Sequence, residues 1–353
     1  MSRSSREQPF VVGSVQSSVG EVPQVADSLS WADHWGTFKA RWGVGRMHYI
    51  VDPGLYALGN PDVQAPILVT ANYKMSFDRL RQALTERHAW ILVVDTNGIN
   101  VWCAAGKGSF GTTGLVRRIR ADGLGQVVTH RTLILPQLAG PGVAAHDVKK
   151  MSGFRVVYGP IRAEDLPSFI DRGFKATPNM RKKSFTLSER VVLIPVELVG
   201  ALKTMVIVSL CFFFVSGLGS SGSYWANALD FGLFAGVALF AAVAAGAVLT
   251  PLLLPWLPGR AFALKGLFPG LMAALMLALC RAGNWGSWVG SMEILGWFFM
   301  VPAISAYLAM NFTGSSTYTS LSGVRKEMKW AVPLEITAGI IGLALWLGSR
   351  FAV

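Results

Sequence analysis

The sequence predicts two domains of different kinds: an α/β domain with a mainly parallel sheet, followed by an all-α domain of five transmembrane helices. Up to about residue 180, short apolar runs alternate with amphipathic helical patterns, which is typical of an α/β sheet. Beyond residue 198 the chain consists of long apolar stretches, and the mean hydropathy of the whole chain is +0.43. We therefore predict an α/β domain over residues 1–180, a linker or interfacial segment over 181–198 and a transmembrane domain over 199–353.

Four strands and the helices between them are predicted in the first domain. The strands are the apolar runs 67–71, 90–95, 131–136 and 154–158, and the helices are expected at 75–87, from about 100, at 142–151 and at 163–172. Strands that alternate with helices form a mainly parallel, Rossmann-like sheet, and ligands bind beyond the carboxyl ends of its strands. Three stretches follow such ends, and we expect them to line one site: 70–73, 96–103 and 136–142.

The second domain contains five apolar stretches of about the 20 residues that a transmembrane helix needs. We place the spans at about 199–219, 228–250, 262–281, 288–310 and 331–349. The proline-rich segment 251–258 is expected to form an interfacial turn. Basic residues cluster before the first span, between the second and third, and between the fourth and fifth, where Arg325, Lys326 and Lys329 are expected in a loop. This bias predicts a multi-pass inner-membrane protein with the first domain in the cytoplasm and the C-terminus outside.

The charges of the chain suggest a lipid partner rather than nucleic acid. The net charge is +12, but the basic residues are scattered, and those nearest the first span suit an anionic lipid surface. Residues 1–30 are polar and lack an apolar leader, so we expect the first domain to stay in the reducing cytoplasm. Most charged residues near the spans lie at span ends, but Glu293 and Glu335 lie deeper and are candidates for an interior role.

Cys103 differs in its surroundings from the other two cysteines, Cys211 and Cys280, which lie inside apolar runs. Asn100 is a good N-cap, and Cys103 then falls in the first turn of a helix, where the partial positive charge favours the metal-binding thiolate. Helical spacing predicts that one face carries Asn100, Cys103, Gly106, Lys107 and Phe110. Small neighbours leave room for a flat, bulky ligand, while Lys107 either balances the thiolate or is an ordinary solvated lysine.

Two common motifs are excluded near this cysteine. Residues 106–111 match G-x-G-x-x-G, but they lie about ten residues after the preceding strand, whereas a dinucleotide fingerprint directly follows its strand. A zinc site is not supported either, because no second cysteine or paired histidine stands nearby.

Residues 100–107, Asn-Val-Trp-Cys-Ala-Ala-Gly-Lys, resemble the signature of the corrinoid mercury methyltransferase family. The five-span half also fits that family, whose soluble domain is similar to the corrinoid-binding domain of the corrinoid iron–sulfur protein of acetyl-CoA metabolism. Further stretches similar to the family occur at 39–47, 53–56, 69–77, 135–136, 140–146 and 310–319.

The resemblance implies a base-off corrinoid whose cobalt has Cys103 as its lower axial ligand, so that Cys103 is the catalytic residue. It also implies a methyltetrahydrofolate-type methyl donor, Hg(II) as the methyl acceptor, and a small ferredoxin with two [4Fe–4S] clusters as electron donor. We expect the Ser- and Thr-rich loop 311–320 to dock against the corrinoid. The residues expected to contact the corrinoid are Thr70, Asn72, Asn100, Val101, Trp102, Cys103, Ala104, Ala105, Gly106, Lys107, Phe110, Pro136, Gln137, Gly140 and Gly142.

One absence in the sequence supports the role of Cys103 independently. Many cobalamin proteins use a D-x-H-x-x-G motif to supply the lower ligand, and none of the five histidines fits it. Three alternatives stay open at this point: a membrane-bound corrinoid carrier or transporter, a methyl-transfer protein with another native acceptor, and a membrane-tethered redox thiol protein without corrinoid.

Overall fold

The computed structural model describes residues 8–219, 222–312 and 321–351, and the chain divides into two compact units. The first unit is an α/β domain that ends at Ser184, and the second is helical and begins at Phe185, with residues 41–43 grouped with it. Residues 313–320, which include most of the 311–320 loop and of the 310–319 motif, lie outside the described residues.

Seven strands form one mixed sheet in the described part of the α/β unit. They are β1 Val11–Ser17, β2 Gly20–Val25, β3 Gly54–Leu58, β4 Ile67–Ala71, β5 Ala89–Val94, β6 Thr132–Leu135 and β7 Arg155–Tyr158. Their order is β1-β2-β3-β5-β4-β6-β7. The β1–β2 and β3–β5 pairs are antiparallel, and the other four pairs are parallel. The four strands predicted from the sequence are β4 to β7, and they pair in parallel with one another.

The alternation of side chains along β5 explains why helices cover both faces of this sheet. Trp90, Leu92 and Val94 belong to one apolar core, together with residues such as Phe110. Ala89, Ile91 and Val93 point the opposite way and belong to a second core that includes Phe77 and Phe169. Because side chains alternate along a strand, a strand that is apolar at every position is buried from both sides.

The α-helices of this unit are α1 Trp31–Arg41, α2 Lys74–Ala83, α3 Val101–Lys107, α4 Thr112–Ala121, α5 Leu124–Val127, α6 Ala145–Ser152 and α7 Leu166–Asp171. Short 3₁₀ turns occupy Arg46–His48, Gln137–Ala139, Ala163–Asp165 and Asn179–Arg181. The predicted helix over 75–87 ends four residues early, at Ala83, and the one predicted from 142 begins at Ala145. The sequence patterns did not predict α1, α4 or the strands β1 to β3.

The helical unit contains α8 Leu187–Val191, α9 Ile194–Gly217, α10 Tyr224–Asn227, α11 Leu233–Val243, α12 Thr250–Leu253, α13 Phe262–Cys280, α14 Trp288–Asn311 and α15 Leu321–Phe351. Two π-helical segments, Ala228–Gly232 and Ala244–Leu249, join α10, α11 and α12 into one continuous helix. Five helices in the described residues are long and apolar enough to cross a membrane: Leu187–Gly217, Tyr224–Leu253, Phe262–Cys280, Trp288–Asn311 and Gly323–Phe351. Each overlaps one of the five predicted spans, and the first begins at Leu187, before the start predicted at about residue 199.

Two expectations about the connections between these helices are wrong. Arg325, Lys326 and Lys329 do not lie in a loop, because α15 begins at Leu321 and includes them. Lysine, arginine and glutamate are good helix formers, so the helix extends beyond its apolar part. The break predicted at Pro251 falls later, because the continuous helix that contains α12 extends to Leu253, two residues beyond this proline.

Glycines allow the longest helices of this unit to approach closely. A Cβ on Gly296 of α14 would lie 2.8 Å from the carbonyl oxygen of Gly342 in α15, and a Cβ on Gly342 would lie 2.6 Å from that of Gly296. Gly266 of α13 packs in the same way against Ala309, and its carbonyl accepts a 2.7 Å hydrogen bond from Ser305. Small residues and interhelical hydrogen bonds of this kind are typical of helix packing in lipid.

Both carboxylates that the sequence places deep in the spans are shielded from solvent. Glu293 is fully buried, and one of its oxygens lies 3.7 Å from Nη2 of Arg350. The carboxylate oxygens of Glu335 are inaccessible, and no hydrogen-bond partner for them occurs among the described residues. Glu335 lines a cavity of about 830 Å³ within the helical unit, together with Glu197, Thr204 and Tyr307.

Candidate functional site

The carboxyl ends of β5, β4 and β6 meet at one edge of the sheet, because these strands are parallel neighbours in that order. The helix that follows β4, α2, packs in the core that contains Phe77, whereas the helices that follow β5 and β6 pack in the opposite core, so the connections from the neighbouring strands β4 and β6 leave to opposite faces. Ligands of open α/β sheets bind at such a point of divergence. The structure therefore brings all three predicted stretches, 70–73, 96–103 and 136–142, to the same edge.

Asn72 connects the segments that follow β4 and β5 through hydrogen bonds of its buried side chain. Its Oδ1 accepts hydrogen bonds from the backbone nitrogen of Thr96 at 3.0 Å, from the hydroxyl of Thr96 at 2.8 Å and from the nitrogen of Gly98 at 3.0 Å. Its Nδ2 donates to Asp95 at 3.2 Å. Asn72 and its neighbour Thr70 are both 3% exposed. The contribution of Asn72 to the site is thus to fix the loop that leads into α3.

The helix that carries Cys103 begins as the sequence predicts. The side chain of Asn100 accepts a 2.9 Å hydrogen bond from the backbone nitrogen of Cys103, which is a standard N-cap. Ala104 and Ala105 face the core, whereas Gly106 and Lys107 are exposed and Cys103 is partly exposed. The thiol therefore lies in the first turn of a short, capped helix, on a side with little neighbouring bulk.

The expectation that Phe110 shares the exposed face with Cys103 is wrong. The helix ends at Lys107, because Gly108 adopts a left-handed conformation with φ of 85°. Phe110 lies beyond this end, is fully buried and donates its backbone N–H to Ala104 at 3.1 Å. Its ring anchors α3 to the core instead of lining a ligand surface.

The segment after β6 packs directly on α3. A Cβ on Gly142 would lie 2.2 Å from the carbonyl oxygen of Phe110 and 2.9 Å from Cα of Ala105, so only glycine fits there. The carbonyl of Gly142 accepts a 3.2 Å hydrogen bond from the nitrogen of Thr112, the first residue of α4. This contact fixes the distance between the 136–142 segment and the cysteine helix.

The predicted contact residues separate into two groups by exposure. The buried group can shape the site but presents little surface to a ligand; it comprises Thr70, Asn72, Val101, Ala104, Ala105 and Phe110. The accessible group comprises Asn100, Trp102, Cys103, Gly106, Lys107, Pro136, Gln137, Gly140 and Gly142.

A fourth segment, residues 46–51, lies at the same edge, and the sequence patterns did not place it in the site. The nitrogen of Val51 donates to the carbonyl of Asn72 at 2.9 Å, and Gly98, with φ of 70°, packs against Met47 and Ile50. Met47 is 61% exposed and Ile50 42%. Large exposed apolar side chains beside a site are the signal that could have identified this segment.

A buried ion network lies next to this edge and joins α1 to α2. Nζ of Lys74 lies 2.6 Å from Asp33 and 2.8 Å from Asp78, while Arg81 contacts the same two carboxylates at 2.8 and 2.9 Å. Burial by itself would raise the pKa of Asp33. Hydrogen bonds from Lys74 and from the backbone of Ser30 outweigh burial and hold that pKa well below its usual range.

Tyr49 completes this network. Burial raises the pKa of Tyr49 to about 12, and the charges of Asp78 and Asp33 act in the same direction. Tyr49 therefore stays protonated at neutral pH, and its hydroxyl donates a 3.0 Å hydrogen bond to the carbonyl of Asp33.

The donor set at this edge suits a metal that brings most of its own ligands. Within the described ranges, no three His, Cys, Asp or Glu side chains are grouped closely enough to hold a metal ion. Cys103 is the single cysteine of the α/β unit, since Cys211 and Cys280 belong to α9 and α13. A lone thiolate can supply one axial ligand to a metal that a macrocycle already holds.

The comparisons with known proteins concern this α/β unit. Residues 45–170 match the family described as CO dehydrogenase/acetyl-CoA synthase delta subunit. That range includes Cys103, the three predicted stretches and the 46–51 segment.

Individual relatives agree with the family match. The acetyl-CoA decarbonylase/synthase complex subunit gamma of Methanopyrus kandleri is 31% identical over 124 residues, which are 35% of this chain and 26% of the relative. The corresponding subunit of Methanocaldococcus jannaschii is 30% identical over 122 residues, 34% of this chain and 25% of the relative. Subunit gamma 2 of Methanosarcina thermophila is 31% identical over 128 residues, which are 35% of this chain and 27% of the relative. The chain thus spans about a quarter of the length of these relatives.

Proposed function

We propose that the α/β unit binds a corrinoid in the base-off state, with the thiolate of Cys103 as the lower axial ligand of its cobalt. We further propose that the chain transfers a methyl group from this cofactor to Hg(II) and so forms methylmercury. The observation that carries the proposal is the position of Cys103. It lies in the first turn of a capped helix, at the ligand-binding edge of the sheet, within the range that matches acetyl-CoA synthase subunits.

The residues present fit a flat macrocycle. Gly106 and Gly140 are exposed and carry no side chain, and Gly142 lets the 136–142 segment lie directly against α3. A corrin ring holds its cobalt through its own ring nitrogens, which agrees with a single protein thiol and no multi-residue metal cluster among the described residues. The similarity to acetyl-CoA decarbonylase/synthase subunits agrees with the resemblance to the corrinoid iron–sulfur protein of acetyl-CoA metabolism.

In this proposal the chain positions and activates a single sulfur. Asn72 fixes the loop before α3, and Asn100 fixes the first turn of the helix. The thiolate of Cys103 would donate electron density to a bound metal. When bound, the corrinoid supplies a cobalt centre that accepts a methyl group and gives it up to electrophilic Hg(II).

We also propose where this chemistry takes place and which partners it needs. The five long apolar helices and the basic residues before the first of them favour an inner-membrane protein with a cytoplasmic α/β unit and an external C-terminus. The proposed partners are a ferredoxin with two [4Fe–4S] clusters and a methyltetrahydrofolate-type methyl donor. Membrane lipid surrounds the spans.

The decisive experiment compares cysteine variants in membranes that contain the full chain. The membranes receive corrinoid, reduced ferredoxin, methyl donor and Hg(II), and methylmercury is measured. Cys103→Ala and Cys103→Thr are expected to abolish methylation, since neither side chain provides a thiolate, whereas Cys211→Ala retains it. Full activity of Cys103→Ala would overturn the proposal, as would spectra that show nitrogen or water below the cobalt.

A second candidate keeps the corrinoid but changes the acceptor. The relatives matched by the α/β unit are subunits of an acetyl-CoA decarbonylase/synthase complex, which favours corrinoid methyl transfer without specifying mercury. The same assay separates the two candidates. A chain that binds methylated corrinoid through Cys103 and leaves Hg(II) unchanged has another native acceptor.

A further inference from the structure

Helix α1 has its acidic residue, Asp33, inside and its aromatic residues outside, which is the reverse of an ordinary surface helix. Asp33 and Ala40 are 7% and 1% exposed, and a Cβ on Gly36 would lie 2.6 Å from the ring of Tyr49. On the opposite side, Trp31 is 76% exposed and Trp35 is 45% exposed. Exposing two large aromatic residues of one helix to water is unfavourable unless another apolar medium covers them.

The exposed side is an ordered stripe of rings. Trp31 and Trp35 stack with centroids 5.8 Å apart, and Trp35 stacks on Phe38 at 5.3 Å. We call Trp31, Trp35 and Phe38 the aromatic stripe; their i, i+4 and i+7 spacing places them on one face. Lys39 and His34 are exposed on either side of the stripe. Asp33, the single acidic residue of α1, faces the opposite way. The face is therefore aromatic with a basic border.

The ion network prevents α1 from rolling to bury this stripe. Asp33 is bound to both Lys74 and Arg81, and Arg81 is fully buried. Rotation of the helix would take Asp33 away from two buried cations and leave them only one of their two shared carboxylates, Asp78, which is unfavourable. The ion pairs of Asp33 therefore hold α1 with the aromatic stripe facing outward.

The connection from the α/β unit to the first candidate span is short. The α/β unit ends at Ser184, and the first helix of membrane-spanning length begins at Leu187. The three Cα–Cα steps between these residues reach at most about 11 Å when extended.

We propose that α1 lies at the surface of an anionic membrane, with the aromatic stripe in the interfacial layer and Lys39 at the lipid phosphates. Tryptophan favours the membrane interface, and basic side chains near anionic lipid add binding energy. This inference rests on the proposed membrane location. It deepens that proposal by giving the α/β unit a second lipid contact besides its connection to the first span.

The test measures how close chosen side chains come to lipid in the full chain, reconstituted into anionic phospholipid nanodiscs. In a background without Cys103, Cys211 and Cys280, Trp31→Cys is labelled with an environment-sensitive fluorophore and exposed to lipids that carry a quencher near the headgroup. The negative control is Val12→Cys on β1, where the native residue is 65% exposed. The positive control is Ile340→Cys within the last candidate span, where the native residue is 63% exposed, with a quencher deep in the acyl chain.

Strong quenching at position 31, well above that at position 12, is the expected result. Quenching at 340 with none at 31 would overturn this inference and leave the proposed membrane location intact, whereas no quenching at 340 would contradict that location itself. Lys39→Glu should weaken quenching at position 31 by about two- to fivefold. Lys175→Glu, at another exposed lysine, is the control. An equal loss of quenching in this variant would show that Lys39 has no specific role.

Discussion

At the residue scale, the site depends on two residues that need not touch a ligand, Asn72 and Gly142. Both follow parallel strands, and each brings neighbouring segments into contact: Asn72 through hydrogen bonds to Thr96 and Gly98, and Gly142 by leaving room for Ala105. Their positions were predictable, because strand ends can be located from the sequence. Their roles were not, since no pattern reveals that an asparagine accepts three hydrogen bonds from a loop more than twenty residues away.

Gly142→Ala is expected to destabilise the α/β unit by about 1–3 kcal/mol, because the new methyl group collides with backbone atoms that cannot move aside easily. Corrinoid retention should fall in parallel, since α3 or the 136–142 segment must shift. The matched control is Gly54→Ala on β3, where no atom lies within 4 Å of the added Cβ. Thermal unfolding and bound cobalt per chain measure both effects. Equal behaviour of the two variants would contradict the tight packing at Gly142.

Asn72→Ala removes the acceptor of two buried backbone N–H groups, those of Thr96 and Gly98, whereas the Thr96 hydroxyl keeps the carbonyl of Ile99 as an acceptor at 2.7 Å. Each unsatisfied buried donor costs about 1–3 kcal/mol, so a marked loss of thermal stability and disorder of the 96–99 loop are expected. Asn60 provides the comparison, because it is exposed and its side chain accepts one 3.2 Å hydrogen bond from Gln24. Hydrogen exchange of the Thr96 and Gly98 amides measures directly whether the 96–99 loop stays ordered. Unchanged protection of these amides in Asn72→Ala would show that the loop is held in another way.

At the element scale, prediction succeeded where a strand was apolar throughout and failed where tertiary contacts decide. The runs that form β4 to β7 carry a strong local signal, and so does the capped start of α3. By contrast, β1 is mostly exposed, and β3 is a short run that begins with glycine, so neither stands out. Helix α1 has its apolar side outward, and its buried contacts are ionic, so its pattern gives no sign of which face packs.

The N-cap of α3 leads to a prediction about corrinoid affinity. Asn100→Ala is expected to cost about 1 kcal/mol of helix stability, which corresponds to a roughly fivefold loss of corrinoid affinity if the formed helix is the binding form. Asn100→Ser should bind nearly as well as the natural chain, because serine is an equivalent N-cap. Titration of the purified chain with corrinoid, followed by absorbance, gives both affinities. Similar losses for alanine and serine would point to a direct contact from Asn100 instead of a cap.

The ion network between α1 and α2 predicts acid sensitivity. The pKa of Asp33 is lowered in the folded state, so its contribution to stability is present above the ordinary aspartate pKa of about 4 and decreases as the pH falls below it. Asp33→Asn should lower stability at neutral pH and flatten its dependence on pH below about 4. Asp171 pairs with Arg87 at 2.6 Å on the surface, and Asp171→Asn should change stability little. Parallel acid unfolding curves for the natural chain and Asp33→Asn would refute this role.

At the scale of the whole molecule, the proposed crossing of a membrane by five helices would place the two units' outer ends on opposite sides of it, because the number of candidate spans among the described residues is odd. Hydropathy located all five candidate helices because each contains a long apolar stretch, a feature that the sequence displays directly. It could not show how they pack, since the glycine contacts of α14 with α15 depend on which faces meet. Nor could it show that α15 continues through Arg325, Lys326 and Lys329, because a helix in water needs no apolar signal.

The proposed five-span arrangement predicts that two exposed positions are labelled from opposite sides of the membrane. Trp288, 78% exposed at the start of α14, should face outward, whereas Met151, 43% exposed in α6, should face the cytoplasm. In a chain without its natural cysteines, Trp288→Cys should react with a membrane-impermeant thiol reagent on intact cells, and Met151→Cys should react only after permeabilisation. The basic residues favour the proposed orientation, because moving Arg181, Lys182 and Lys183 outward would place them on the side that the positive-inside rule disfavours. Labelling of both positions in intact cells would reject the orientation, and with it the access of a cytoplasmic ferredoxin to Cys103.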